Sequence, residues 1–260
     1  MSYAKYLSKQ ELEDQQTLLL PHEITKLQGV LGDTLWIAMH TKPTVKFPLN
    51  VYSRTVSPAP TLYDYNQALR TMHYCIATAD VPRIIGGDKG VVLTATVDSS
   101  YASHKDLKGQ SCYTLHVAGG GAVIMDSKKH TVTASSSAES EVLGSALVDK
   151  VIKWARNFLF ELGYNQNIPC PKGTPLGQDN TSAMTILENE HNTGKTKHLD
   201  LRINVLRESR KNKIIEDFYL PTDHMPADIG TKPIAPGLFK RLSDYVLGAI
   251  QLPHFQKFFS

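Results

Sequence analysis

Four acidic residues stand where a fold would gather carboxylates. Asp98 ends a run of alternating apolar and hydroxyl side chains, and Glu139 lies in the first turn of the longest helical pattern. Asp179 closes a short extended segment, and Asp228 follows another strand and a turn, at the start of a last helix. Each lies about 40–50 residues from the next, room for one supersecondary unit, so strand ends and helix starts can meet at one sheet edge. Carboxylates meeting there repel unless cations neutralise them. Hard oxygen donors without Cys or His favour magnesium or manganese over zinc. Two such ions about 4 Å apart activate a water and stabilise the leaving oxygen of a phosphodiester. That is the chemistry of a metal-dependent nuclease.

Each acid also has a structural reading. Glu139 closes Ser136-Ser137-Ala138-Glu139, a capping box in which the glutamate reaches back to the helix start. Asp179-Asn180 suits a cap for the helix that follows, and Asp98 before Ser99-Ser100 suits a turn. Asp228 suits a first-turn acid favoured by the helix dipole.

The elements that must position these residues change character near residues 80–90. Before it, Ile24, Leu27, Val30, Leu31, Leu35 and Ala38 recur at helical spacing, and Lys42-Pro43 breaks the pattern. Phe47–Val56 and Tyr63–Ala77 complete a small unit of two or three helices. After Gly86-Gly87, Val91, Leu93, Ala95 and Val97 alternate with Val92, Thr94 and Thr96, as a strand requires. Ser111–Ala118 and Ala122–Met125 continue an antiparallel meander, with His130–Ala134 a further short strand candidate. Ser137–Leu162 is the longest helix, ended by Gly163. A segment ending at Asp179 comes next, although its proline and glycines weaken a strand reading. Helices over Thr181–Glu188 and Lys197–Asn212, a strand over Ile214–Leu220 and a mixed tail follow. The order β-β-β-α-β-α-α-β-α describes an α/β chain, an α+β mixed sheet with helices packed on it.

Composition bounds the rest. The 260 residues allow one large domain or two small ones. A hydrophobic share of 41% excludes wholesale disorder, and no apolar run reaches the roughly 18–20 residues that span a bilayer. The polar first residues lack a secretory signal, and three cysteines without paired spacing argue against a disulfide framework or structural zinc. These features predict an intracellular chain. The net charge of +3 permits a polyanionic partner without demanding one.

The residues around the acids carry a resemblance. Val97-Asp98-Ser99-Ser100-Tyr101-Ala102, Ser135–Glu141 (SSSAESE), Gln178–Ala183 (QDNTSA), Thr196–Arg202 (TKHLDLR) and Ala227–Pro233 (ADIGTKP) occur in that order. The series resembles the ribonuclease H domain of copia-type (Pseudoviridae) retrotransposon Pol polyproteins, over about residues 90–245. The stretch around His40-Thr41-Lys42-Pro43 resembles the segment linking polymerase to ribonuclease H in that family, and no Tyr-x-Asp-Asp polymerase signature occurs.

The resemblance implies a helical tether over 1–85 and a ribonuclease H-like domain over 86–260. It implies that Asp98, Glu139, Asp179 and Asp228 hold two Mg2+ ions, or Mn2+, with Asp98 and Asp179 bridging. Glu139 would ligate one ion and orient the scissile phosphate, and Asp228 would complete the second site. His224, four residues before Asp228, would assist proton transfer or product release. The substrate implied is the RNA strand of an RNA–DNA hybrid, and the other partner is the polymerase domain of the same polyprotein. No membrane or small-molecule cofactor is expected.

A hybrid presents phosphates and 2′-hydroxyls, which call for cations and neutral donors. Lys195, Lys197 and His198 form one candidate cluster, Asn180 and Ser182 another, and Lys105, Lys108, Lys128 and Lys129 lie beside the meander. A second class of function, a catalytically inactive scaffold of the same fold that binds nucleic acid or protein, shares every feature except turnover. An integrase-type core is disfavoured, because there the glutamate comes last of three acids.

Overall fold

A computed structural model describes residues 8–57, 59–87, 90–104, 106–189 and 200–259. The chain divides between Pro82 and Arg83 into two compact units. No helix among the described residues is long and apolar enough to cross a membrane.

The first unit is helical: α1 (Lys9–Asp14), α2 (Pro21–His40), α3 (Lys46–Ser53) and α4 (Leu62–Ala77). Pro21 opens α2, where its missing N–H costs nothing. Leu27, Leu31 and Ala38 of α2 pack on Leu49, Ala68 and Cys75, as their spacing predicts, whereas Leu35 faces outward. Lys42, of the sequence that breaks α2, is buried. Its ammonium donates to the carbonyls of Thr78 and Val81 just beyond α4, the latter at 2.7 Å. These acceptors compensate a charge whose pKa burial lowers.

The second unit carries β1 (Leu93–Ser100), β2 (Gln110–Val117), β3 (Ala122–Lys129), α5 (Ser137–Glu161), β4 (Thr174–Gln178), α6 (Thr181–Glu188), α7 (Asp200–Lys211), β5 (Ile215–Tyr219) and α8 (Pro236–Leu247). The five strands form one mixed sheet in the order β3-β2-β1-β4-β5. Pairing is antiparallel across β3, β2 and β1, and parallel across β1, β4 and β5. Strand alternation gives the sheet two apolar faces. Leu93, Ala95 and Val97 pack with Val148 and Ile152 of α5. On the other face, Cys112 and Met125 join Ile229, Leu242 and Val246.

Several elements differ from the sequence reading. His130–Ala134 is not a strand; β3 extends to Lys129, and the His130 amide closes onto Gly109 O at 2.8 Å. Asp98 lies within β1, two residues before its end. Asp228 lies in a 3-10 turn, Pro226–Gly230, and the last helix begins only at Pro236. Thr174–Gln178 is a fully buried strand despite Pro175. Its pairing with β1 begins at Leu176, so Pro175 removes no donor from that ladder. Gly177 keeps that strand close to its neighbours, because a Cβ there would come within 2.9 Å of the Leu220 side chain, which would have to shift.

Candidate metal centre

The C-terminal ends of β1 and β4, neighbours in the sheet, deliver the first two acids. Asp98 projects from β1 on the face opposite Ala95 and Val97, and is 4% exposed. Asp179 directly follows β4, and Thr222 donates to its Oδ2 at 2.8 Å.

The third acid comes from α5, and it is Glu141. A ligand atom from each of Asp98, Glu141 and Asp179 lies within 4.8 Å of the others. The Ser99 amide donates to Glu141 Oε1 at 3.2 Å, while Oε2 is buried without a hydrogen-bond partner. Close approach of helix to strand makes this possible. Gly144 lies one turn beyond Glu141, and a Cβ there would overlap Ser99 Oγ. Ser99 is fixed in turn by Ser111 Oγ at 2.7 Å, and Ser111 by His130 Nε2 at 2.5 Å.

Glu139, the glutamate expected at this point, is also buried, but it does not join Asp98 and Asp179. Its Oε2 accepts from the Ser135 amide at 2.7 Å and from the Ser135 hydroxyl, while its own amide donates to Ser136 Oγ at 3.2 Å. Two residues along a helix is a rotation of about 200°, so Glu139 and Glu141 serve opposite sides. The helical phase held the signal. Glu141 shares its face with Ser145, Val148 and Ile152, all buried against the sheet side.

Asp228 reaches the same place from the 3-10 turn and is wholly buried. The turn is locked by Ser127 Oγ, which donates to Gly230 O at 2.5 Å, and by Cys112, whose sulfur fills the space a Gly230 side chain would need. Two residues without a role in the sequence reading complete the arrangement. The Thr231 hydroxyl donates to Asp98 Oδ2. Lys232 Nζ stands 2.9 Å from Asp228 Oδ1 and 3.9 Å from Asp98 Oδ2.

The electrostatics follow from this crowding. Burial, and then the neighbouring Asp98 charge, push Asp228 up to about 8. Burial also raises Asp98, with Lys232 opposing it. Glu141 is raised well above the usual carboxylate range by burial and by the charges of Asp98 and Asp179. For Lys232, burial would lower the pKa, but Asp98 and Asp228 outweigh it and hold the ammonium protonated. An all-oxygen donor set, mutual repulsion and an orphaned buried Glu141 oxygen fit a hard divalent cation. An open polar cleft lies over the acids, lined among others by Tyr101, Ser137, Glu141, Asn180 and Lys232.

The other expected site residues distribute differently. Asn180 lines the cleft and caps α6, its Oδ1 accepting from the Ala183 amide at 3.0 Å. Ser182 is exposed on the first turn of α6. Lys195, Lys197 and His198, with Lys105, lie outside the described residues. Lys108 and Lys129 pair with Asp106, and Lys128 with Asp126. The His224 ring is engaged by the Tyr245 hydroxyl at 3.1 Å and lies beside His254.

A sheet of this order and polarity, crossed by α5 and carrying acids at the ends of β1 and β4, is a ribonuclease H-like fold. The chain is similar to retrotransposon Pol, as its motifs led us to expect: it is 25% identical over 218 residues to the Retrovirus-related Pol polyprotein from transposon TNT 1-94 of Nicotiana tabacum. The match covers 84% of this chain and 16% of that relative's length. No family model matches. Among solved structures, RNase H1 of Halobacterium salinarum aligns with TM-score 0.38 and 12% identity, over 54% of this chain and 93% of that one. The foamy viral protease-reverse transcriptase in complex with RNA/DNA hybrid aligns with TM-score 0.45 and 13% identity, over 88% of this chain and 28% of that one.

Proposed function

We propose that the chain is a divalent-metal-dependent endonuclease that cuts the RNA strand of RNA–DNA hybrids during retrotransposon reverse transcription. The observation that carries this reading is the convergence of Asp98, Glu141 and Asp179 within 4.8 Å at one sheet edge, beneath an open polar cleft. Asp98, Glu141 and Asp179 would hold one Mg2+ or Mn2+, and Asp98 with Asp228 a second. When bound, such ions supply a nucleophilic water and neutralise charge on the phosphodiester.

The chain's own residues orient the ligands. Thr231 fixes the Asp98 carboxylate, Thr222 that of Asp179, and the Ser99 amide that of Glu141. Glu141 takes the role that the resemblance gave to Glu139. Asn180, which lines the cleft, and Ser182, exposed on the first turn of α6, would meet the RNA backbone. Lys195, Lys197 and His198 remain candidate phosphate contacts, and His224 is assigned no step. The unit ending at Pro82 would serve as the tether to the polymerase domain of the same polyprotein.

The test is cleavage of a labelled hybrid with Mg2+ by wild type, Asp98→Asn and Asp179→Asn. Cleavage by wild type alone is the expected result. Equal cleavage by all three would remove the assignment. A folded wild type that binds the hybrid without cutting it would make the chain a scaffold instead.

A further inference from the structure

Lys232 enters the acidic cluster from the segment just beyond the 3-10 turn. Its ammonium is 2.9 Å from Asp228 and 3.9 Å from Asp98, yet the side chain is 40% exposed and borders the cleft. The turn does not depend on that ammonium. Thr231 is the anchor, its hydroxyl bonded to Asp98 and to Asp228 O, while Ser127 holds Gly230. The tip of Lys232 is therefore free to move along the cleft while the backbone stays in place.

The two sides of Asp98 are unequal in charge. On one side, Asp98 and Asp228 share the lysine. On the other, neither Glu141 nor Asp179 has an ion-pair partner within 4.0 Å among the described residues. A lysine ammonium is a compact point charge on a flexible stem, so it neutralises carboxylates without fixing their geometry. A divalent cation brings twice the charge to the same oxygens.

We propose that Lys232 is the resident counter-ion of the Asp98–Asp228 side, and that a divalent cation occupies that side by displacing it. This rests on the reading of the acids as a metal centre. Cation binding then proceeds in unequal steps. The Asp98–Glu141–Asp179 side fills first, and the Asp98–Asp228 side fills at the cost of expelling the ammonium.

The experiment titrates Mn2+ alone into the full chain, without nucleic acid, following binding by calorimetry and by loss of free-ion paramagnetic resonance. Lys232→Met should tighten the weakest resolved step by about tenfold or more, because a cation a few ångströms away is gone. Lys232→Arg, which keeps the charge, should stay near wild type. A second measurement needs no variant: in wild type, amine-directed labelling of Lys232, read by mass spectrometry, should accelerate when Mn2+ is added. Unchanged affinity in Lys232→Met, or a labelling rate indifferent to Mn2+, overturns the exchange and leaves the nuclease reading intact. A folded wild type that binds no Mn2+ overturns both.

Discussion

Ser99 Oγ occupies the space that a side chain on Gly144 would need. The helix that brings Glu141 and the strand that brings Asp98 thus touch through a missing methyl group. Gly144→Ala should force α5 away from β1 and cost about 1–3 kcal/mol, as overpacking does. Hybrid cleavage should fall further than the loss of folded protein explains. Chemical denaturation alongside cleavage at matched folded fraction separates the effects, and a fully active, stable alanine variant would contradict the close packing.

The two glutamates in the first turns of α5, Glu139 and Glu141, should part company. Glu141→Gln should reduce cleavage by about a hundredfold or more, since even supporting residues around a metal are worth 10–100-fold. Glu139→Gln should keep most activity and lose about 1 kcal/mol of stability, the scale of a helix cap. Measuring both rates and both unfolding midpoints decides the matter. The reverse ranking would return the ligand role to Glu139.

The crowded acids should make the metal-free protein sensitive to alkali. Asp228 is held near 8 in the fold against 3.8 when unfolded, so the folded state binds more protons between those values. Stability is therefore lost as pH rises through that window. In EDTA, wild type should melt lower at pH 8 than at pH 6, and Asp228→Asn should flatten the slope and raise the melting temperature at pH 8. A variant less stable than wild type at pH 8 would rule this out.

His116 should titrate in the opposite sense. It is buried, with Nδ1–H donating to Gly120 O at 3.0 Å and Nε2 2.9 Å from Thr114 Oγ1, which donates to it. Desolvation lowers its pKa to about 4 from 6.5. Its share of stability, on the order of 3 kcal/mol, is present above 6.5 and lost as pH falls toward 4. NMR of the ring nitrogens should show a neutral Nδ1–H tautomer down to about pH 4.5. A charged ring at pH 6 would disprove it.

What the sequence made legible was periodic or local. The alternation of Leu93, Ala95 and Val97 with threonines located β1, and helical spacing located α2, α4 and α5. Half of the capping box read from the sequence forms, the Glu139 amide donating to Ser136 Oγ. Its carboxylate accepts from Ser135, the residue before the cap, a contact that uses the side chain that the resemblance made a ligand. Choosing Glu141 required the phase of α5 against a sheet whose position only the tertiary fold supplies. Asp228 was placed on a helix because a 3-10 turn carries no periodic signal. Strand β4 was obscured by Pro175 and Gly177, residues admitted by its pairing register and by the closeness of Leu220. Thr231 and Lys232 were visible as letters only, since contact with Asp98 spans 133 positions.

The change from antiparallel to parallel pairing at β1 also sets an order in time. The β1–β2–β3 meander closes short loops, whereas joining β4 to β1 must wait for the long connection through α5. Asp98 is therefore expected in the half that assembles early and Asp179 in the half that assembles late, while the turn carrying Asp228 docks back onto β2 and β3. The capacity to capture Mn2+ should consequently lag the recovery of strand signal in stopped-flow refolding. A centre built across that seam is complete only when the whole sheet is.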